Sequence, residues 1–123
     1  MKENEITVVY KWTAQPGKLE ELKTIYQEVL KQMQDTEPDA LKMNCFISEE
    51  ENALYVHDLF KDAGALGQHL GTTANQHFSK LGEIATPGPF LFLGDIPEEM
   101  KEHAKQMKMG AEFSSFKFGF TRD

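Results

Sequence analysis

Apolar and polar positions follow two alternating rhythms along this chain. Residues 6–14 are rich in β-branched and aromatic side chains and predict a strand, which Pro16-Gly17 breaks. In KLEELKTIYQEVLKQMQ the residues Leu19, Leu22, Tyr26, Val29 and Met33 recur at helical spacing, and Ile25 and Leu30 widen the stripe. This amphipathic helix should stop before Pro38, because proline disfavours helical geometry in the residue preceding it. Residues 41–48 and 53–60 read as two strands joined by the polar turn Glu49-Glu50-Glu51-Asn52, a hairpin. Asp62 can cap a short helix over 63–70, which Gly71 interrupts. Thr73 followed by Gln76 suggests a capping box opening a further helical piece, with Ala74, His77, Phe78, Leu81 and Ile84 on one face.

Pro87-Gly88-Pro89 is expected to end the helical region, and Phe90-Leu91-Phe92-Leu93 reads as a strand buried on both faces. Asp95 and Pro97 open a third helix whose inner face would carry Met100, His103, Ala104 and Met107, with Gly110 placed to stop it. Phe116, Phe118 and Phe120 alternate with Lys117 and Gly119, predicting a last strand with one apolar face.

The order strand, helix, strand, strand, helix, strand is a split βαβ, or ferredoxin-like, α+β arrangement. It gives an antiparallel sheet with helices on one face, extended by a helix and a strand. We expect one domain over 1–123, with its core at about 5–95 and the extension at 96–123. Helices cover one face only, yet strand three offers Leu54, Val56 and Phe60 on one side and Tyr55 and Leu59 on the other. The uncovered apolar face calls for a second copy in a symmetric homodimer, leaving room between sheet and helices for a small apolar ligand.

Composition narrows the classes of function. Apolar residues make up 40% and charged residues 27% of the 123, so the chain can build a core. The net charge of -7 argues against binding to nucleic acid or to an anionic membrane surface. The N-terminal stretch offers no apolar run long enough for a signal peptide or membrane span, and the single Cys45 fits a reducing compartment, so the expected location is the cytoplasm. Cys45 sits in an apolar run without a basic neighbour and is expected to be a buried structural thiol.

Three stretches, VVYKWTAQPGKLEELKTIYQEVL, EPDALKMNCFISEEENALYVHDLFKDAGALGQHL and TTANQHF, together resemble the antibiotic-biosynthesis-monooxygenase-like family of the dimeric α/β-barrel group. The resemblance implies a homodimer and an activity drawn from a varied set: cofactor-independent quinol and anthrone monooxygenases, haem-degrading enzymes or a sugar isomerase. The chain departs from the family pattern in places. Where strand three commonly carries a carboxylate and then a tryptophan, it has Asp58 and Phe60, and His69 and His77 stand further apart than the usual pair. Haem degradation is disfavoured, because Val9 or Tyr10 and Phe60 replace its asparagine and tryptophan, and only His77 fits.

Oxygenation without metal or flavin requires an electron-rich substrate anion, hence a base, an apolar cavity and exclusion of water. His69 and His77 are the candidate bases, placed near the cavity by the resemblance. As a lone histidine on an apolar helix face, either could equally be a satisfied packing group. Asp58, mid-strand among apolar residues, needs a partner: a histidine, a substrate hydroxyl, or a cation such as Lys11 or Lys42. Tyr10, Trp12 and Phe60 are candidate cavity walls, and Asn44 a candidate polar contact. His57 should face away from Asp58, and His103, on a Met-bearing helix, reads as core or interface. No zinc or phosphate-loop motif is present. The leading expectation is a monooxygenase acting on a quinol or polycyclic phenol, with molecular oxygen as co-substrate and no cofactor. The alternatives are an isomerase or lyase on the same scaffold, or a non-catalytic small-molecule-binding dimer.

Overall fold

The computed structural model describes residues 4–122. Its elements are β1 (Ile6–Ala14), α1 (Leu19–Thr36), β2 (Ala40–Ser48), β3 (Ala53–Phe60), α2 (Ala63–Gly71), α3 (Thr73–Ile84), β4 (Ala85–Leu93), α4 (Glu98–Gln106) and β5 (Ala111–Ser114). The sheet order is β2-β3-β1-β4-β5. The first four strands pair antiparallel, and β5 runs parallel to β4. This is the ferredoxin-like α+β fold with an added helix and strand.

The period-two pattern of the strands divides the sheet into two faces. Ile6, Val8, Tyr10 and Trp12 of β1, Leu54, Val56, Asp58 and Phe60 of β3, and Phe90 and Phe92 of β4 are buried on the helix side. There they meet Leu22, Ile25, Tyr26, Val29 and Met33 of α1, the stripe that its helical spacing predicts. Burying each such large side chain stabilises the fold by about 1.5–3 kcal/mol. On the other face, away from the helices, Val9, Lys11, Tyr55, His57, Leu59, Leu91 and Leu93 are only half-buried. Leu91 and Leu93 are therefore not enclosed as a strand buried on both faces would require.

Several local expectations are corrected. β4 begins at Ala85, so Pro87-Gly88-Pro89 lies inside the strand, where Trp12 faces Pro87 across a register shift. Thr73 does not cap α3: the N-cap is Thr72, without a side-chain cap, and the Thr73 hydroxyl turns inward to Glu37. The last strand is Ala111–Ser114, not the phenylalanine repeat. It takes the free edge of β4 and stacks Phe113 on Phe92 at 5.4 Å. Phe116, Phe118 and Phe120 follow with no strand to pair and are exposed. Cys45 is exposed rather than buried, because β2 is an edge strand that the helices do not cover. His103 is also exposed; α4 buries only Ala104. Asp62 caps α2 as expected, its Oδ1 accepting from the Ala65 amide at 2.9 Å.

Gly88 locks the extension to the core. Its φ of 103° disfavours any side chain, and a Cβ there would meet the Met109 carbonyl oxygen at 2.8 Å. The backbone contact holds Met109 against the helix side of the sheet, where it is buried. No helix among the described residues is long and apolar enough to cross a membrane.

Candidate active site

Between the helix side of the sheet and the helices lies a cavity of about 40 Å³. Tyr10, Trp12, Asp58, Phe60, Phe90 and Phe92 form its sheet wall. Tyr26 and Val29 of α1, Leu66 and His69 of α2, and His77 and Phe78 of α3 form its helix wall, and Met107 and Met109 reach in from beyond α4. Its half-buried members, Ala74, His77, Phe78 and Met107, mark the rim. Tyr10 stacks on Phe90 at 4.2 Å, and Trp12 meets Phe78 edge-on at 5.6 Å, so the walls are flat aromatic surfaces.

Asp58 is fully buried on this wall. The Tyr10 hydroxyl donates to its Oδ2 at 3.1 Å, while Oδ1 has no partner. Burial pushes its carboxyl up to about 7, against the pull of the positive field of His69 and of the Tyr10 hydrogen bond. Near pH 7 the Asp58 carboxyl is therefore divided between its neutral and ionised forms, and its Oδ1 is open to a ligand. The pairing with Lys11 or Lys42 does not occur: Lys11 lies on the opposite face, over the Tyr55 ring. Burial, then the Asp58 charge, raise the Tyr10 phenol well above its ordinary value, so it serves as a donor.

The two histidines are held differently. His69 is buried, and its Nδ1 lies 3.2 Å from both carboxylate oxygens of Glu37. Glu37 follows the last turn of α1 and is 3% exposed. Burial alone would raise its carboxyl. Hydrogen bonds from His69 and Thr73 more than offset this, so it sits below its ordinary value and is ionised. His77 has a neutral partner: its Nε2 donates to Gln32 Oε1 at 2.9 Å, and the Gln32 amide is fixed by Gln76 Oε1 at 2.7 Å. Burial and then Lys80 lower the His77 pKa, only partly opposed by Glu28, and its Nδ1 is unpartnered.

The fold therefore brings His69, His77, Asp58, Tyr10, Trp12 and Phe60 to one cavity. Asn44 does not reach it. It pairs with His57 on the opposite face and is exposed, because β2 alternates like its neighbours and puts Met43 and Cys45 on the inner side. His57 also faces away, its pKa lowered by burial and Lys42. The Cys45 thiol is pushed up to about 11 by partial burial and the Asp58 charge, so it is no nucleophile. Glu37 and Thr73, which the sequence did not single out, are the buried partners that hold His69. Among the described residues no three His, Cys, Asp or Glu side chains converge as a metal would require.

Among the described residues, the buried side-chain polar atoms without a partner are Trp12 Nε1, Asp58 Oδ1 and His77 Nδ1. All three belong to residues lining this one cavity. Buried unpaired donors and acceptors are costly and uncommon, and their convergence marks a place prepared for a ligand's polar groups.

Comparison with known proteins agrees with this architecture. MupZ from Pseudomonas fluorescens superposes with a TM-score of 0.80 at 17% identity, covering 97% of this chain and 95% of that one. Rv0793 from Mycobacterium tuberculosis gives 0.66 at 16%, covering 76% and 97%. SnoaB from Streptomyces nogalater, a cofactor-independent oxygenase, gives 0.59 at 16%, covering 68% and 85%. At these identities the likeness is one of fold, and with MupZ it extends over nearly the whole chain. No curated protein matches in sequence. The family model described as antibiotic biosynthesis monooxygenase matches residues 5–81, well over half of the chain, and the protein belongs to that family.

Proposed function

We propose that the protein is a homodimeric, cofactor-independent monooxygenase that oxidises a phenol or quinol, with His69 as base and Asp58 as acid. The observation that carries the reading is the convergence of three unpartnered polar atoms and a base in an otherwise aromatic and aliphatic cavity. Family membership and the oxygenase activity of SnoaB support it.

The chemistry follows from the groups present. His69 takes the phenolic proton on Nε2, and the phenolate passes one electron to dioxygen. The resulting radical pair joins at a ring carbon bearing hydrogen, and Asp58 protonates the terminal peroxide oxygen. Cleavage of the O–O bond with loss of the C–H proton leaves a ring carbonyl and hydroxide. The C–H proton returns to Asp58, and the His69 proton converts hydroxide to water. Overall a phenol and dioxygen give a quinone and water. His69 is preferred to His77 because its Nδ1 faces both oxygens of the Glu37 carboxylate, which can orient the ring, whereas His77 Nε2 faces the neutral Gln32 amide.

At about 40 Å³ the cavity itself holds little more than water. Phe78 and Met107, half-buried at the rim, must swing aside for a ring to enter, which favours one or two rings over a larger polycycle. The test is oxygen uptake by chelator-treated protein against a panel of phenols and quinols. Saturable uptake, reduced at least about 100-fold in His69→Ala and less than about tenfold in His77→Ala, is expected. No uptake with any member of the panel contradicts the reading. The acid–base pair also favours one alternative, an isomerase that moves a proton without oxygen; turnover undiminished under nitrogen would identify it.

A further inference from the structure

We infer that Glu37 is the positioning residue of the site: with Thr73 it fixes the His69 ring so that Nδ1 carries the proton and Nε2 is left as the basic nitrogen. The inference rests on the proposed role of His69 as base and adds the device that makes it one.

The geometry is specific. Both Glu37 oxygens lie 3.2 Å from His69 Nδ1, and the Thr73 hydroxyl donates to Oε2. An ionised carboxylate only accepts, so a neutral His69 must present Nδ1–H to it. Three elements converge on this arrangement: the end of α1 supplies Glu37, α2 supplies His69, and the first residue of α3 supplies Thr73. All three side chains are buried. Burying a carboxylate has a cost, met here by the hydrogen bonds it receives. Thr73, the first residue of α3, turns its hydroxyl inward to make one of them, and α3 starts without a side-chain cap. Phe60, whose ring centroid is 5.3 Å from that of His69, supports the imidazole from the sheet. His77 has no carboxylate to orient it: its Nε2 faces the neutral amide of Gln32.

Glu37→Gln tests the assignment. Thr73 still donates to the amide oxygen, which turns the amide NH₂ toward His69 Nδ1 and forces the proton onto Nε2. Long-range ¹H–¹⁵N NMR, at a pH where the ring is neutral, should show His69 as the Nδ1–H tautomer in the wild type and as Nε2–H in Glu37→Gln. Turnover should fall about 100-fold or more in kcat, with KM changed less than about threefold. A wild-type His69 protonated on Nε2 overturns the inference without any variant. So does a Glu37→Gln protein that keeps Nδ1–H, or that flips the tautomer and retains its kcat. If the tautomers behave as stated but no phenol is turned over by the wild type, the oxygenase reading falls and the positioning role stands.

Discussion

The two faces of the sheet are made by the same strands from similar residues, yet they are built to different ends. On the helix side Phe60, Val56 and Leu54 are buried, and the polar groups among them, Asp58, Tyr10 and Trp12, are gathered at one cavity. On the other side Leu59, His57 and Tyr55, the alternate residues of the same β3, are half-buried and face away from the helices. A fold stabilised by its inner face alone does not need Val9, Leu59, Leu91 and Leu93 outside, and it is this face that the proposed homodimer would cover. Period-two alternation decides which side a residue serves: neighbours on β3 one residue apart fall in the cavity wall or on the outer face.

The sharpest way to break that comparison is to substitute neighbours on β3. Phe60→Ala should destabilise the chain by about 3–5 kcal/mol, since its ring is fully enclosed. Leu59→Asp should cost the isolated chain little and instead convert a dimeric mass to a monomeric one by light scattering. A wild type that is monomeric at micromolar concentration would remove the assembly half of the contrast.

A smaller effect separates Asp58 from an ordinary surface acid. Its folded pKa is raised to about 7 from 3.8, so between those values the folded chain binds the extra proton. Stability then falls as pH rises from about 4 to 7 and is level above, with a contribution on the order of 2–4 kcal/mol. Asp58→Asn should abolish that component, gaining over the wild type as pH rises through the window in urea titrations. Equal pH dependence of the two proteins would mean that Asp58 ionises normally.

Smaller still is the effect at the junction of core and extension. Gly88→Ala should cost about 1–3 kcal/mol, because the left-handed backbone and the Met109 carbonyl both oppose a methyl group. It should also weaken substrate binding by loosening Met109, as a parallel measurement of KM would show.

Much of this was legible in the sequence because it is local. Residues 6–14, 19–36 and 53–60 announce themselves by period, and their alternation places Tyr10, Trp12, Asp58 and Phe60 on one side. Histidines at 69 and 77 could be proposed from pattern. What was not legible depends on contacts distant in sequence. Glu37 and Thr73 find His69 only when three elements meet, and nothing near Glu37 distinguishes it from other surface acids. Cys45 was misjudged because exposure on β2 depends on how far the helix layer extends, and Asn44 because its register opposite His57 puts it on the outer face. The phenylalanines at 116, 118 and 120 have a strand's alternation, but the edge of β4 is already occupied by Ala111–Ser114.

The proposed role of His69, removing a proton from a phenol bound in the cavity, is tested most directly with oxygen taken away. Under nitrogen, the ultraviolet difference spectrum of a turned-over phenol or quinol should be recorded on binding, at a pH below the ligand's own pKa. A phenolate band is expected with the wild type and with His77→Ala, and the neutral phenol with His69→Ala. A neutral phenol bound to the wild type, or a phenolate band that survives in His69→Ala, would contradict it.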